Sequence, residues 1–327
     1  MTKEVAMLNF GFCGFRHGHI FSLYERVKSS PETAVVSAFE ADAPARKAAE
    51  EQGVVFNCSS YEDMLADKNI QVIAFGGAYG DRADAIKKAI VAGKHILSDK
   101  PFCISLEDLD EITELLKKHN VVLGCMFDLR TSANLYTAAK LIKEGAIGEI
   151  NGIQFNGMHP LNYGTRPSWY FEKGMHGGTI NDIAIHLFDL LPSLTGHKVQ
   201  KILASHSANI NFPEVPYFTN AGVVMLSLDN GACVNGDVSY FASSFATPSY
   251  WRFTIGGSKG MIEFNYSDPG VLLMQHGCEN RTVEPEKAPF DYFDAFLSEV
   301  GGKKLSPCTE EILQTARWSL LAQQAAN

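Results

Sequence analysis

The alternation of short apolar runs with amphipathic segments over the first 126 residues is the feature that most restricts the fold. Apolar runs typical of buried strands lie at 5–13, 33–39, 70–75, 95–98 and 121–126. Segments with a helical pattern separate them, at 18–29, 44–52, 82–92 and 105–119, the last with Ser105 as its predicted cap. Strand, helix and strand at this spacing predict right-handed βαβ units, and therefore a parallel sheet.

The pattern changes at about residue 150. Longer strand-like runs follow, at 150–158, 199–209, 221–229, 232–240, 250–256 and 260–264. Helical patterns accompany them, at 132–144, 179–191 and 309–324. Turn signals between the runs, such as Asp229-Asn230-Gly231, favour a mostly antiparallel sheet.

The sequence therefore predicts an α/β protein of two domains. We expect a domain with a parallel sheet over 1–126. An α+β domain with a mostly antiparallel sheet is expected over 127–327. The last helix is a candidate for packing back on the first domain.

Composition excludes several classes of partner. The 327 residues carry a formal net charge of -9, which argues against a nucleic-acid partner because phosphate binding needs basic patches. We expect no membrane association, because no apolar run approaches the length of a bilayer span. No basic segment followed by an apolar core opens the chain, so we expect no secretory signal. Seven scattered cysteines without a C-x-x-C pair indicate reduced thiols and a cytoplasmic protein.

A glycine turn directly after the first strand is the first candidate for chemistry. Gly11, Gly14 and Gly18 would let backbone N–H groups approach a pyrophosphate at a helix N-terminus. Arg16 replaces the second glycine of the G-x-G-x-x-G pattern read from Gly14, so a plain strand-to-helix turn is the alternative. Glu40, at the end of the second strand, is placed to bind a ribose 2′-hydroxyl and to repel a 2′-phosphate. NAD is therefore expected over NADP, although Arg16 is suited to pair with a phosphate.

Two further motifs carry titratable groups. Lys100 follows a predicted parallel strand, at the edge of the sheet where α/β proteins bind ligands, and Pro101 ends that strand. An ordinary exposed lysine is the alternative. Asp182 and His186 are spaced i, i+4 on a predicted helix, and an imidazole suits proton transfer in alcohol–ketone interconversion. A surface ion pair is the alternative there. A metal pair would need a third ligand that the sequence does not show, so no metal is expected.

Four stretches, in this order and spacing, resemble the glucose–fructose oxidoreductase / inositol dehydrogenase / rhizopine-catabolism (Gfo/Idh/MocA) family over nearly the full length. They are YEDMLADKNIQVIAF, AIKKAIVAGKHILSDKP, KLIKEGAIGEI and GGTINDIAIHLFD. The resemblance implies a dinucleotide-binding Rossmann domain over 1–126, followed over 127–327 by an α+β domain for substrate and oligomerisation with a large open, mostly antiparallel sheet. It implies that Lys100 lies near nicotinamide and substrate, that Asp182 positions substrate and that His186 is the catalytic acid/base. It also implies a cis peptide between Lys100 and Pro101.

The resemblance implies an NAD(P)-dependent oxidoreductase that transfers a hydride between the nicotinamide and a hydroxyl carbon of a sugar, cyclitol or related polyol. The expected cofactor contacts are Gly11, Gly14, Phe15, Arg16, His17, Gly18, Glu40, Gly76, Gly77, Tyr79, Asp99 and Lys100. The expected substrate contacts are Arg130, Tyr163, Arg166, Trp169 and His176. For the polar and aromatic segment 159–176, a structural loop with its aromatics packed inward is the alternative.

The sequence departs from the family pattern at several positions. Asp99 stands where a Glu is usual, and Ala78 and Arg82 stand where a Pro and a His are usual. Asp128 precedes Arg130 in place of a frequent Asn. These departures, together with Arg16, indicate a divergent branch and bear on the contacts to the nicotinamide.

Two other functions fit the same motifs. One is a redox-neutral, NAD-using sugar hydrolase or lyase, and the other is a non-catalytic dinucleotide-binding regulator. The apolar faces of the open sheet and of the final helix favour a homodimer or homotetramer.

Overall fold

The computed structural model describes residues 7–326, so residues 5 and 6 of the predicted first strand lie outside the described part. The described residues divide into two compact units. One holds the residues up to Met126 together with Ala295–Ile312, and the other holds Phe127–Asp294 together with the residues from Leu313 onward. Within residues 7–326, no helix combines the length and the apolar character that crossing a bilayer requires.

The first unit contains a five-stranded parallel sheet, as predicted. Its strands are β1 Leu8–Cys13, β2 Thr33–Phe39, β3 Val72–Phe75, β4 His95–Ser98 and β5 Leu123–Cys125. Their spatial order is β2-β1-β3-β4-β5, and every neighbouring pair is parallel. Because β1 lies between β2 and β3, the order reverses there. The carboxyl ends of β1 and β3 therefore form the switch point at which open α/β sheets bind ligands.

Between β1 and β5, five helices accompany this sheet. They are α1 His19–Ser29, α2 Ala43–Glu51, α3 Tyr61–Ala66, α4 Tyr79–Val91 and α5 Leu106–Lys118. Side-chain caps begin three of them, α2, α3 and α5. Ser105 accepts a hydrogen bond from the Asp108 N–H at 3.1 Å, which confirms the predicted cap of α5. Helix α3 was not predicted, although Ser60 caps it in the same way. Helix α4 begins three residues before its predicted start, because the side chains of Tyr79 and Arg82 are buried in its first turns.

The second unit contains an eight-stranded sheet. Its strands are β6 Ile150–Pro160, β7 Val199–Ala208, β8 Ala221–Leu228, β9 Cys233–Ala242, β10 Arg252–Gly257, β11 Gly260–Phe264, β12 Val271–Gln275 and β13 Arg281–Val283. The order is β13-β12-β11-β10-β6-β9-β8-β7, and only β6 and β9 pair in parallel. The prediction of a mostly antiparallel sheet is confirmed. The short strands β12 and β13 were not predicted.

Helices cover one face of this sheet. The first two are α6 Ala133–Lys143 and a π-helical segment, Ile180–Ala184, that continues into α7 Ile185–Thr195. A Cβ on Gly236 of β9 would lie only 2.8 Å from Leu187 Cδ2 of α7, so glycine is needed for this close approach. The residues between 180 and 189 are consequently held against the sheet.

Helix α8, Tyr292–Val300, precedes the final helix α9, Thr309–Ala325. The side chain of Gln323 in α9 accepts hydrogen bonds from the N–H groups of Ile180 and Asn181 at 3.0 and 3.3 Å. Ser319 of the same helix donates to Asn181 at 3.1 Å. The two bonds to Gln323 satisfy N–H groups that a helix start leaves without partners, and all three bonds fix the segment that leads to Asp182 and His186.

Candidate functional site

The turn between β1 and α1 is joined to the loop after β3. The N–H groups of Arg16 and His17 both donate to the Gly76 carbonyl, at 2.9 and 3.0 Å. Gly14 has a φ of +86°, and a Cβ there would lie 2.6 Å from the Gly77 nitrogen. Glycine is therefore required at position 14 so that the two loops can meet at the switch point.

The start of α1 fits an anionic group such as a pyrophosphate. The helix has no side-chain cap at its N-terminus and no acidic residue in its first turn. A Cβ on Gly18 or on Gly77 would meet nothing within 4 Å, so both glycines face open space. The partial positive charge of a helix N-terminus favours an anion in such a place. Gly11 is different, because a Cβ on it would lie 2.8 Å from Met64 Sδ, within the core of the unit.

Glu40 lies beside this turn and is 5% exposed. One carboxylate oxygen accepts from the Phe15 N–H at 2.5 Å, and the other accepts from the Asp42 N–H at 2.7 Å. Its negative charge is thereby fixed between the end of β2 and the glycine turn. The Arg16 guanidinium extends outward instead, where it lies 3.3 Å from Asp81 and 3.9 Å from Asp42.

A fully buried carboxylate, Asp99, forms the centre of a group of hydrogen bonds and ion pairs in the first unit. Its Oδ2 accepts hydrogen bonds from His17 Nδ1 and from Arg82 Nη2, the latter at 3.0 Å. Its Oδ1 lies 3.1 Å from His19 Nδ1 and accepts from the Lys100 N–H at 2.8 Å. Asp99 therefore connects the glycine turn to Lys100. The Lys100–Pro101 peptide is cis.

Burial sets the charge states in this group. It lowers the pKa of His17 to about 4, so this imidazole is neutral near neutral pH. Burial alone would raise the pKa of Asp99, but its neighbours, with Arg82 as the permanent cation, hold that pKa well below its usual value. With a proton on His17 Nδ1, the other ring nitrogen is an acceptor for the Tyr79 hydroxyl, 3.1 Å away.

His17, His19 and Asp99 also have the spacing of a metal site, because one ligand atom from each lies within 4.8 Å of the others. The guanidinium of Arg82, however, already supplies a positive charge to the same carboxylate, 3.0 Å from Oδ2. A metal cation would have to share this carboxylate with a buried arginine. We therefore describe the group as a cluster of ion pairs and hydrogen bonds.

In the second unit, Asp182 lies in a buried group of polar and aromatic side chains. The Tyr240 hydroxyl donates to Asp182 Oδ2. His176 Nε2 lies 3.0 Å from that hydroxyl and 3.5 Å from Asp182 Oδ2. Burial, followed by the charge of Asp182, raises the pKa of Tyr240 well above its usual value, so Tyr240 remains a neutral donor. The Arg166 guanidinium lies 5.8 Å from the centre of the Tyr240 ring.

His186 has different neighbours. Its ring centre lies 4.9 Å from that of Trp251 and 6.2 Å from that of Phe127, and the side chain is almost fully buried. The ring of His159 contacts the same Trp251 at 4.7 Å. Trp251 has a φ of 48°, a backbone conformation that is unusual for a bulky residue. The His159 ring centre also lies 6.4 Å from that of Tyr240, so His159 links the neighbours of His186 to those of Asp182.

The structure places the predicted substrate residues in several positions. Arg130 forms a two-point ion pair with Asp189 of α7, at 2.9 and 2.7 Å. Tyr163 is partly exposed and donates to Glu214 at 2.7 Å. Trp169 is buried against a neighbouring aromatic ring.

Arg166 is held by its own loop, with Nε donating to the Leu161 carbonyl at 2.6 Å. Of the five predicted substrate residues, Arg166 and His176 lie in the group around Asp182.

Three residues of these groups have no motif that marks them. Tyr240 is one of several aromatic residues in a strand, and Trp251 follows a loop of low regularity. Arg82 stands out in the sequence only as a departure from a family pattern, and its burial in the Asp99 cluster was not predicted.

The low pKa of His17 predicts a loss of stability in acid. The unfolded chain takes up a proton near pH 6.5 and the folded chain only near pH 4, so stability falls as the pH drops between these values. In urea unfolding, the wild type should lose about 2 kcal/mol more than His17→Gln between about pH 7 and about pH 5. His276→Gln, at an exposed histidine, is the control and should behave as the wild type. Equal losses in wild type and His17→Gln would contradict a neutral buried His17.

Comparison with known proteins agrees with the fold. Residues 8–127 match the oxidoreductase family model of the NAD-binding Rossmann fold, and residues 135–263 match the GFO/IDH/MocA C-terminal domain model. The levoglucosan dehydrogenase of Pseudarthrobacter phenanthrenivorans is 25% identical over 296 residues, which cover 80% of this chain and 73% of that protein.

Solved structures agree as well. A protein of Erwinia carotovora atroseptica SCRI1043 has a TM-score of 0.87 at 26% identity, covering 98% of this chain and 99% of that one. Levoglucosan dehydrogenase in complex with NADH and L-sorbose shares the fold, with a TM-score of 0.81 at 22% identity, covering 98% and 97% of the two chains. The two family models together span most of the sequence. The chain belongs to the GFO/IDH/MocA family of oxidoreductases.

Proposed function

We propose that the protein is an NAD-dependent dehydrogenase that acts on a hydroxyl carbon of a sugar, cyclitol or related polyol. The observation that carries the proposal is the double role of Asp99, which accepts hydrogen bonds from His17 of the glycine turn and from the Lys100 N–H. A lysine is thereby fixed at the strand edge at which the turn would hold a dinucleotide. The sugar substrate of the related levoglucosan dehydrogenase supports the class of substrate.

Each residue of the proposed site has a role in binding or in proton transfer. A bound nicotinamide ring would supply the hydride chemistry. The Arg16–Gly18 turn, Gly77 and Glu40 would bind the dinucleotide. His186 would take the hydroxyl proton of the substrate, and Lys100 would donate a hydrogen bond to the same oxygen and stabilise negative charge that develops on it. Asp182 would bind a neighbouring hydroxyl group.

His186→Ala tests the assigned acid/base. Polyols, sugars and sugar acids are first screened with NAD by the absorbance of the reduced cofactor. With the substrate found, kcat of His186→Ala should fall by about 10²- to 10⁴-fold, because proton transfer is lost. The dissociation constant for NADH, measured by fluorescence, should change by less than about threefold. His276→Ala is the control, and an unchanged kcat in His186→Ala would reject the role.

We also propose a preference for NAD over NADP, supported by the buried negative charge of Glu40. A 2′-phosphate near this carboxylate would be repelled, and a 2′-hydroxyl would find an acceptor.

The preference is measured as the ratio of the two dissociation constants. NADP should bind at least about tenfold more weakly than NAD, equivalent to about 1.4 kcal/mol. Glu40→Gln removes the charge and keeps one acceptor, so the ratio should move toward one. Glu50→Gln, at an exposed glutamate, should leave the ratio unchanged. Tighter binding of NADP than of NAD by the wild type would overturn the preference.

We propose further that the chain forms a homodimer or homotetramer through the outer face of the second sheet. Exposed Val223 and Met225 of β8 lie at a concavity of about 350 Å³ on this face. Val223 is in register with Asp237 on one side and with His206 on the other. A second copy related by a two-fold axis would bring Asp237 of one copy toward His206 of the other and cover the apolar side chains.

Met225→Lys should weaken this association. Light scattering should give a dimer or tetramer for the wild type and a lower mass for Met225→Lys at the same concentration, because the lysine would be buried in the interface. Val91→Lys, at an exposed position of α4, is the control and should keep the mass of the wild type. A monomeric wild type would contradict the proposal.

A further inference from the structure

Arg82 is the most deeply buried guanidinium in the described residues, with 1% of its side chain exposed. Burial of an arginine is very unfavourable unless its donors are used. Nε donates to the Gly77 carbonyl at 2.9 Å, and Nη2 donates to Asp99 Oδ2 at 3.0 Å. Nη1 donates to the carbonyls of Asp99 and Pro101, both at 2.9 Å.

These acceptors surround Lys100. Asp99 and Pro101 are the residues directly before and after it, and one nitrogen of Arg82 holds both of their carbonyls. The carboxylate that Arg82 neutralises accepts, in turn, from the Lys100 N–H at 2.8 Å. Gly77, the remaining acceptor, belongs to the loop that meets the glycine turn. One side chain therefore connects the backbone around Lys100 to the loop after β3.

We propose that Arg82 is a positioning residue that fixes the backbone of Lys100 relative to the dinucleotide turn. It acts through carbonyl groups and a carboxylate and does not itself contact substrate. The planar guanidinium directs its donors to four acceptors at once, which a lysine ammonium cannot do. The inference rests on the proposed function only for the catalytic role of Lys100.

A second buried lysine, Lys94, serves to distinguish a local effect on Lys100 from a general loss of stability of the unit. Lys94 precedes β4 and Lys100 follows it, and both are nearly fully buried. The ammonium of Lys94 donates to the carbonyls of Asp67 and Ile70, at 2.6 and 2.8 Å, and has no bond to Arg82. A general loosening of the unit would expose both lysines, whereas loss of the Arg82 contacts should release Lys100 alone.

The test is pulse labelling with acetic anhydride, followed by mass spectrometry of the peptides that carry the two lysines. Arg82→Lys keeps the positive charge but loses the planar set of N–H donors. The double variant Arg82→Met with Asp99→Asn removes both buried charges and therefore leaves neither one unpaired. It is the second variant, for the case in which Arg82→Lys does not fold. Lys100 should be labelled at least about tenfold faster in either variant, and Lys94 at a rate within about twofold of the wild type. Arg46→Met, at an exposed arginine that pairs with Glu50, is the matched control and should change neither rate.

Two results would overturn the proposal. One is an unchanged labelling rate of Lys100 in a folded Arg82 variant, and the other is an equal rise for both lysines, which would indicate a purely structural role. With a substrate in hand, kcat of Arg82→Lys should fall while KM for NAD changes by less than about threefold. Labelling needs no substrate, so failure of the proposed function and failure of the positioning role remain distinguishable.

Discussion

The buried charge of Asp99 is the constraint on which the arrangement of the first unit depends. A carboxylate without exposure to water requires a cation and a full set of donors, and Arg82, two histidines and the Lys100 N–H supply them. These donors come from the glycine turn, the start of α1, the start of α4 and the end of β4. Satisfying one charge therefore brings together the loops that an open parallel sheet presents at its carboxyl edge.

The constraint in the second unit is different, because there polar side chains are buried within an apolar layer. The missing side chain of Gly236 lets α7 lie close to the sheet, and Gln323 satisfies the N–H groups at the start of the preceding π-helical segment. Asp182 is then paired with Tyr240, whereas His186 is enclosed by aromatic rings. A carboxylate and an imidazole four residues apart thus have different neighbours, as different chemical roles would require.

The sequence predicted the features that depend on local periodicity. The parallel sheet, the antiparallel sheet and the cap at Ser105 follow from hydrophobic spacing and short-range donors. The contacts of Arg82 and of Tyr240 were out of reach, because their partners Asp99 and Asp182 lie 17 and 58 residues away and the pairing depends on side-chain geometry. Glu40 combines a predictable and an unpredictable feature. Its place at the end of β2 follows from the local pattern, but its bonds to the Phe15 and Asp42 N–H groups do not.

The most direct test of the proposed activity follows the hydrogen of the substrate. A sugar or polyol that is turned over is prepared with deuterium on its reacting carbon and incubated with NAD, and the reduced cofactor is analysed by mass spectrometry. An NAD-dependent dehydrogenase should transfer one deuterium to the nicotinamide for each molecule of oxidised product. Product that forms without net reduced cofactor would contradict this account and would indicate a redox-neutral reaction instead.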